Sequence, residues 1–297
     1  MTSYVHEVLA GRGALRRLDP GEPPGRSTLL VIAPHEIPPA QAAALARQPW
    51  SWIHLTSAGV DFFPVHTVPA GTVITRSGSA YVAPITEYVT RAMLRASSAA
   101  AWPAGELPGA PPPGQAAAGL YRRRLGVAGL GRTGQGVARL GLLLGMRVTA
   151  LVRPDTRRRL PGVEQVTRVR ELRDVDHLVL TLPLTAATRH ILDAEFFRRC
   201  RPGLHLVNTA RGPLVDHDAL ATAAAGRAVT ATLDVTEPEP LPDGHPLRSL
   251  PGVMITPHIA WRSGTSDSAF LDDLLANLER WPLGLPLRDR VIRSRGY

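Results

Sequence analysis

The 297-residue chain is predicted to be an α/β protein built on a doubly wound parallel sheet, with a second, smaller α/β domain beside it. Three observations predict this. The second half alternates short, continuously apolar runs with segments of helical periodicity, as a parallel sheet covered on both faces reads. A glycine-rich turn stands directly between one of those runs and a helix. The length exceeds that of a typical single domain, so two domains sharing one cleft is the natural organisation.

The elements follow in order. Residues 28–33 and Trp52–Leu55 read as strands, with a helix over 39–47 between them. Residues 87–101 read as a long helix, and 103–119 are so rich in Pro, Gly and Ala that they read as a linker. Buried strands are predicted over 124–128, 147–152, 177–182, 204–209, 229–235 and 253–256. Helices are predicted over 134–144, 194–199 and 216–225, the last capped by Asp216. Finally, 266–280 carries Phe270, Leu271, Leu274, Leu275 and Leu278 at helical spacing, and this apolar stripe is expected to fold back on the first domain. The expected division is therefore 1–97 plus 267–297, and 98–266.

Composition limits the partners. The formal charge is +9, yet every one of the 34 basic residues is Arg, and aromatic residues make up only 5%. The runs 122–124 and 157–159 lack the interleaved aromatics that would stack bases, so they read as solvated surface and no nucleic acid is expected. No stretch resembles a membrane span or a secretion signal, which predicts a cytoplasmic protein. The single cysteine, Cys200, fits a reducing compartment and reads as a structural thiol.

The glycine turn runs Gly129-Leu130-Gly131-Arg132-Thr133-Gly134. Gly129 permits the tight turn, Gly131 lets the backbone approach a pyrophosphate, and Gly134 lets the helix pack on its strand with its N-terminus towards the phosphates. The turn reads as a Rossmann dinucleotide site. An acidic residue closing the second strand would hold the ribose of NAD, but that strand ends Leu151-Val152-Arg153. Arg153 is suited to a 2′-phosphate, with Arg157 and Arg158 adding positive potential, so NADP(H) is expected over NAD(H). Asp155 turning inward to the ribose is the alternative.

Three later segments place polar residues where buried strands end: Asn208-Thr-Ala-Arg-Gly212, Leu233-Asp-Val-Thr-Glu-Pro-Glu-Pro240 and Thr256-Pro-His-Ile-Ala260. Together with Gly129 to Gly134 and Pro183-Leu-Thr185, their order resembles that of the D-isomer-specific 2-hydroxyacid dehydrogenases, of the glyoxylate/hydroxypyruvate reductase kind, over nearly the whole chain. The resemblance implies a flavodoxin-like smaller domain for substrate, a homodimer, and reduction of a small 2-oxo acid to its D-2-hydroxy acid. It implies that His258 is the general acid, Glu239 its carboxylate partner and Arg211 the substrate-holding cation. Such a set suits charge developing on a carbonyl oxygen as hydride arrives.

By the same resemblance Asp234 contacts the nicotinamide amide, and Pro183, Thr188, Thr209 and Ala210 line the cofactor. Ser57, Ala58 and Gly59, in the loop 56–61, offer backbone amides to the substrate carboxylate. Tyr81 or Trp261 would shape the pocket. The remaining histidines show no ligand-like grouping, so no metal is expected. Two alternatives share the fold. A formate or phosphite dehydrogenase is opposed by the acidic Glu239 and by the absence of lysine. A nucleotide-sensing corepressor with a similar Pro257-His-Ile-Ala-Trp261 segment would bind cofactor without turnover.

Overall fold

A computed structural model of the chain describes residues 29–33, 37–97, 119–157, 159–264 and 266–297. The chain divides into two compact units, one ending at Tyr81 and resuming at Ser263, the other Val82–Arg262.

In the first unit β1 (Leu29–Ile32), β2 (Trp52–Leu55) and β3 (Val73–Arg76) form a parallel sheet in that order. These strands are what the described residues show of the flavodoxin-like expectation. Helix α1 (Pro39–Ala46) starts with Pro at its first position, where the missing N–H costs nothing, and buries Ala42, Leu45 and Ala46 in a core with Leu30, Ile53 and Leu55. Helix α6 (Ser266–Arg280) buries Phe270, Leu271 and Leu274 with Trp52 and Ala80. Each such side chain contributes roughly 1.5–3 kcal/mol by leaving water. Central strand β2 also buries a polar residue, His54, whose ring nitrogens reach Thr75 Oγ1 at 2.8 Å and Ser77 Oγ at 3.0 Å. Burial pushes its pKa down to about 4.

The second unit holds seven parallel strands: β4 (Arg124–Ala128), β5 (Arg147–Leu151), β6 (Val163–Val166), β7 (His177–Leu180), β8 (Leu204–Asn208), β9 (Val229–Leu233) and β10 (Val253–Ile255). Their order is β10-β9-β8-β7-β4-β5-β6. The chain thus winds one way from β4 through β5 to β6, then restarts beside β4 at β7, which makes the β4/β7 junction the topological switch point where such sheets bind ligands. Strands β7 and β8 are buried along their whole length, as strands covered on both faces must be. Helices α2 (Val82–Ser97), α3 (Arg132–Leu143), α4 (Ala194–Arg199) and α5 (His217–Ala225) belong to this unit. The N-caps of α4 and α5 are Asp193 and Asp216, whose carboxylates accept the Phe196 and Ala219 amides at 2.8 and 3.0 Å.

The fold corrects the sequence reading in three places. Strands β3 and β6 were not expected: β3 carries Thr75 and Arg76, and β6 is a half-exposed edge strand carrying Glu164 and Gln165, so neither needs an apolar run. Helix α2 begins at Val82 rather than Glu87. It also clusters with the second unit, which runs Val82–Arg262. The physical reason lies in α3, where a Cβ on Gly136 would stand 2.7 Å from Val82 Cγ1 and 2.8 Å from Thr86 Oγ1. Only a residue without a side chain lets α2 sit that close. The expected linker at 103–119, apart from Gly119, and the run residue Arg158 lie outside the described residues.

Candidate active site

The glycine turn has the expected conformation. Gly129 adopts φ +103°, and a Cβ built on Gly134 would lie 1.9 Å from the Gly129 carbonyl oxygen, so α3 can pack here only with glycine. Thr181 Oγ1 donates to the same carbonyl at 2.7 Å and ties the turn to the end of β7. Gly131 caps α3 and has no neighbouring atom within 4 Å of a built Cβ. The turn therefore leaves open space beside the helix N-terminus, and the residues present fit a pyrophosphate there. At the end of β5, Arg153 Nε pairs with Asp155 Oδ1 at 3.1 Å, with both side chains well exposed. Asp155 is thus turned to Arg153, and an exposed pair of this kind is worth little in stability.

Strands β8, β9 and β10 are neighbours, with Asn208 opposite Leu233 and Leu233 opposite Ile255. Their carboxyl ends therefore stand side by side, and the three loops that follow carry Arg211, Glu239 and His258. His258 Nδ1 lies 2.7 Å from Glu239 Oε1. Because a carboxylate only accepts, this ring nitrogen bears the shared hydrogen and Nε2 points elsewhere. Arg211 is brought to the same edge by two constraints. Asn208 is buried, and its amide donates to the Arg211 carbonyl at 2.8 Å while its oxygen accepts the Ala210 amide at 3.1 Å. Gly212 lies so near the neighbouring loop that a Cβ would be 2.1 Å from the Thr236 carbonyl oxygen. The arginine loop is thereby pressed against the segment that leads to Glu239.

His258 itself adopts φ +52°, a left-handed conformation costly for a residue with a side chain. Asp234 holds it there. The His258 amide donates to the Asp234 carbonyl at 3.0 Å, and the carboxylate accepts the Ile259 and Ala260 amides at 2.8 and 2.9 Å and the Thr256 hydroxyl at 2.6 Å. Sequence reasoning assigned Asp234 to the nicotinamide amide; in the structure its carboxylate braces the histidine loop. Thr188 likewise shapes its own loop, donating to the Pro183 carbonyl at 2.7 Å and accepting the Thr185 amide at 2.8 Å. Thr209 Oγ1 is buried and has no hydrogen-bond partner among the described residues. The Ala210 carbonyl accepts from Arg211 Nη1 at 2.6 Å. The Arg262 guanidinium stacks on the ring of Trp261, its carbon 5.2 Å from the centroid.

Within the first unit, the loop 56–61 follows β2. Ser57 Oγ donates to the Gly59 carbonyl at 2.6 Å, Arg76 Nη1 donates to the Ala58 carbonyl at 2.7 Å, and the Tyr81 hydroxyl donates to the Thr56 carbonyl. Tyr81 and Arg76 thus steady the loop. Sequence reasoning missed Asn208, Thr256, Tyr88 and Arg76 as contributors. Asn208 and Thr256 at least open the segments that were singled out, whereas nothing local marks the other two. Among the described residues no group of His, Cys, Asp or Glu is arranged to hold a metal ion, and no helix is long and apolar enough to cross a membrane.

Residues 93–260 match the model of the D-isomer specific 2-hydroxyacid dehydrogenase NAD binding domain. Among curated relatives, the glyoxylate reductase of Korarchaeum cryptofilum is 39% identical over 163 residues, which cover 54% of this chain and 49% of that one. The chain spans about half the length of the curated relatives it matches. Among solved structures, a D-isomer specific 2-hydroxyacid dehydrogenase from Xanthobacter autotrophicus Py2, in complex with NADPH and MES, superposes with a TM-score of 0.75 at 27% identity, covering 97% of this chain and 89% of that one. A probable 2-hydroxyacid dehydrogenase from Rhizobium etli CFN 42, in complex with NADP, HEPES and L(+)-tartaric acid, gives 0.74 at 25% identity, covering 93% and 90%. With a glycine turn at the switch of a seven-stranded parallel sheet and a domain match over more than half its length, the chain belongs to the D-isomer specific 2-hydroxyacid dehydrogenase family.

Proposed function

We propose that the chain is a nicotinamide-dependent oxidoreductase that reduces small 2-oxo acids, such as glyoxylate or hydroxypyruvate, to the corresponding D-2-hydroxy acids. The observation that carries this reading is the Glu239–His258 pair at 2.7 Å, beside the Arg211 loop at the ligand-binding edge of the sheet. When bound, the reduced nicotinamide supplies hydride to the carbonyl carbon. As charge builds on the carbonyl oxygen, His258 gives it a proton from Nε2 while Glu239 keeps hold of Nδ1. The Arg211 guanidinium pairs with the substrate carboxylate, a planar ion-pair geometry that lysine does not reproduce. The loop residues Ser57, Ala58 and Gly59 are assigned to a substrate carboxylate, with Tyr81 beside that loop. Gly129 to Gly134, with Pro183, Thr188, Thr209, Ala210 and Asp234, are assigned to the cofactor side. Cytoplasmic location, motivated by the lone cysteine, and a homodimer complete the reading.

The test is to mix the protein with NADPH and a panel of 2-oxo acids and follow the absorbance of the reduced nicotinamide. Steady oxidation with at least one acid is expected; none with any of them would sink the proposal, and tight cofactor binding without turnover would favour a nucleotide sensor.

NADP(H) is proposed over NAD(H) because β5 runs out through Leu151-Val152-Arg153 with no acidic residue closing it, and relatives at 25–27% identity carry NADPH or NADP. Replacing Arg153 with Ala is expected to raise KM for NADPH about tenfold while moving KM for NADH less than about twofold, since only the former has the 2′-phosphate. Equal effects on both cofactors would remove Arg153 from that role.

A further inference from the structure

We propose that Tyr88 is a positioning residue for the reaction, acting through a one-directional hydrogen-bond relay, Tyr88 to Thr256 to Asp234, that sets the backbone of His258. The direction of the relay follows from counting hydrogens. The Thr256 hydroxyl has one hydrogen, and the Asp234 carboxylate, 2.6 Å away, can only accept it. The Tyr88 hydroxyl, 2.6 Å from the same Thr256 oxygen, must therefore be the donor to it. Each donor polarises the next, so the chain strengthens towards the carboxylate. Burial, with Asp234 nearby, pushes the Tyr88 phenol pKa up and keeps its hydrogen in place.

The end of the relay is the histidine loop. Tyr88 and Asp234 are buried and Thr256 between them is half-buried, so a bond lost from this chain leaves a buried polar group short of a partner. Asp234 Oδ1 receives both the Thr256 hydroxyl and the Ile259 amide, and Oδ2 receives the Ala260 amide. The His258 amide donates to the backbone carbonyls of Asp234 and Thr256, each at 3.0 Å. The left-handed turn at His258 is thus bracketed by groups that Asp234 and Thr256 hold, and the direction in which its imidazole leaves the chain, towards Glu239, depends on them. Tyr88 reaches Thr256 because α2 packs against the cofactor helix α3 at Gly136. The helix that opens the dinucleotide site therefore also seats the donor that begins the relay.

The inference rests on the proposed reductase activity for its kinetic arm alone. Three variants are compared with wild type: Tyr88→Phe, Thr256→Val and Thr256→Ser. Two readouts are taken, steady-state kinetics with NADPH and the best oxo acid, and amide hydrogen exchange at Ile259 and Ala260. Tyr88→Phe and Thr256→Val are expected to speed exchange at both amides and to lower kcat about tenfold, with KM for NADPH within about twofold, because the first removes the donor to Thr256 and the second also removes the hydroxyl that Asp234 accepts, which misorients the acid without touching the cofactor. Thr256→Ser keeps the hydroxyl and is expected to retain both protection and turnover, which a merely packing role for the side chain would not give. Unchanged exchange in Tyr88→Phe overturns the relay. Faster exchange with unchanged kcat overturns its part in the reaction. A wild type inactive with every oxo acid sinks the activity reading, while exchange still decides the relay.

Discussion

Replacing His258 with Asn is expected to lower kcat for oxo-acid reduction about a thousandfold, the usual worth of a well-placed general acid, while the dissociation constant for NADPH stays within about twofold. Asparagine is the informative replacement. His258 sits at φ +52°, and Asn is among the few residues with a side chain that tolerate the left-handed region. The variant therefore keeps the loop and loses only the proton. Alanine would confound the chemistry with backbone strain of about 1–2 kcal/mol. Turnover near the wild-type value would show that another group protonates the carbonyl oxygen. A parallel loss of cofactor affinity would show that the loop had moved.

The second large expected effect concerns acid stability. His54, His177 and His205 are buried, and burial pushes them down to about 4, about 4 and about 3 respectively. The latter two form a chain through the sheet: their Nδ1 atoms lie 3.2 Å apart, with Ser97 and Thr232 at the outer nitrogens at 3.2 and 3.1 Å. A lowered folded pKa means that the native state excludes a proton which the unfolded chain, with a pKa near 6.5, accepts. Their stabilisation is accordingly complete above pH ~6.5 and is lost as pH falls towards 4 and then 3. Between pH 7.5 and 5 each costs about 2 kcal/mol, so the second unit, with two of them, is expected to lose about 4 kcal/mol and roughly 10 °C in Tm. Scanning calorimetry of wild type and of the His177→Asn, His205→Asn double variant across that range measures it. A wild-type Tm that does not fall, or a double variant that falls as steeply, would contradict the assignment.

Much of the second unit was legible in the chain. Arg124–Ala128, Ala194–Arg199 and the cap at Asp216 stand as expected, because buried parallel strands must be apolar throughout and helix starts carry local chemistry. The glycine turn was equally legible, since Gly129 and Gly134 answer to contacts made within a few residues or to the next strand. What escaped was whatever depends on a distant neighbour. Edge strand β6 is polar because one side lacks a partner, and β3 because its Thr75 serves His54 and Trp52. The start of α2, and its place with the second unit, turn on a glycine in α3 some fifty residues away.

The site divides along the same line. The order of the motifs, through the family resemblance it carries, pointed to Arg211, Glu239 and His258, a set that would suit charge developing on a carbonyl oxygen. Order along the chain carries no angle, however. The left-handed turn at His258, the bracing of its loop by Asp234, and the donor reaching in from Tyr88 arise only when the carboxyl ends of β8, β9 and β10 stand side by side and α2 lies against α3. Those features are set by bonds between residues as much as 168 apart in sequence, and no local pattern encodes such a bond.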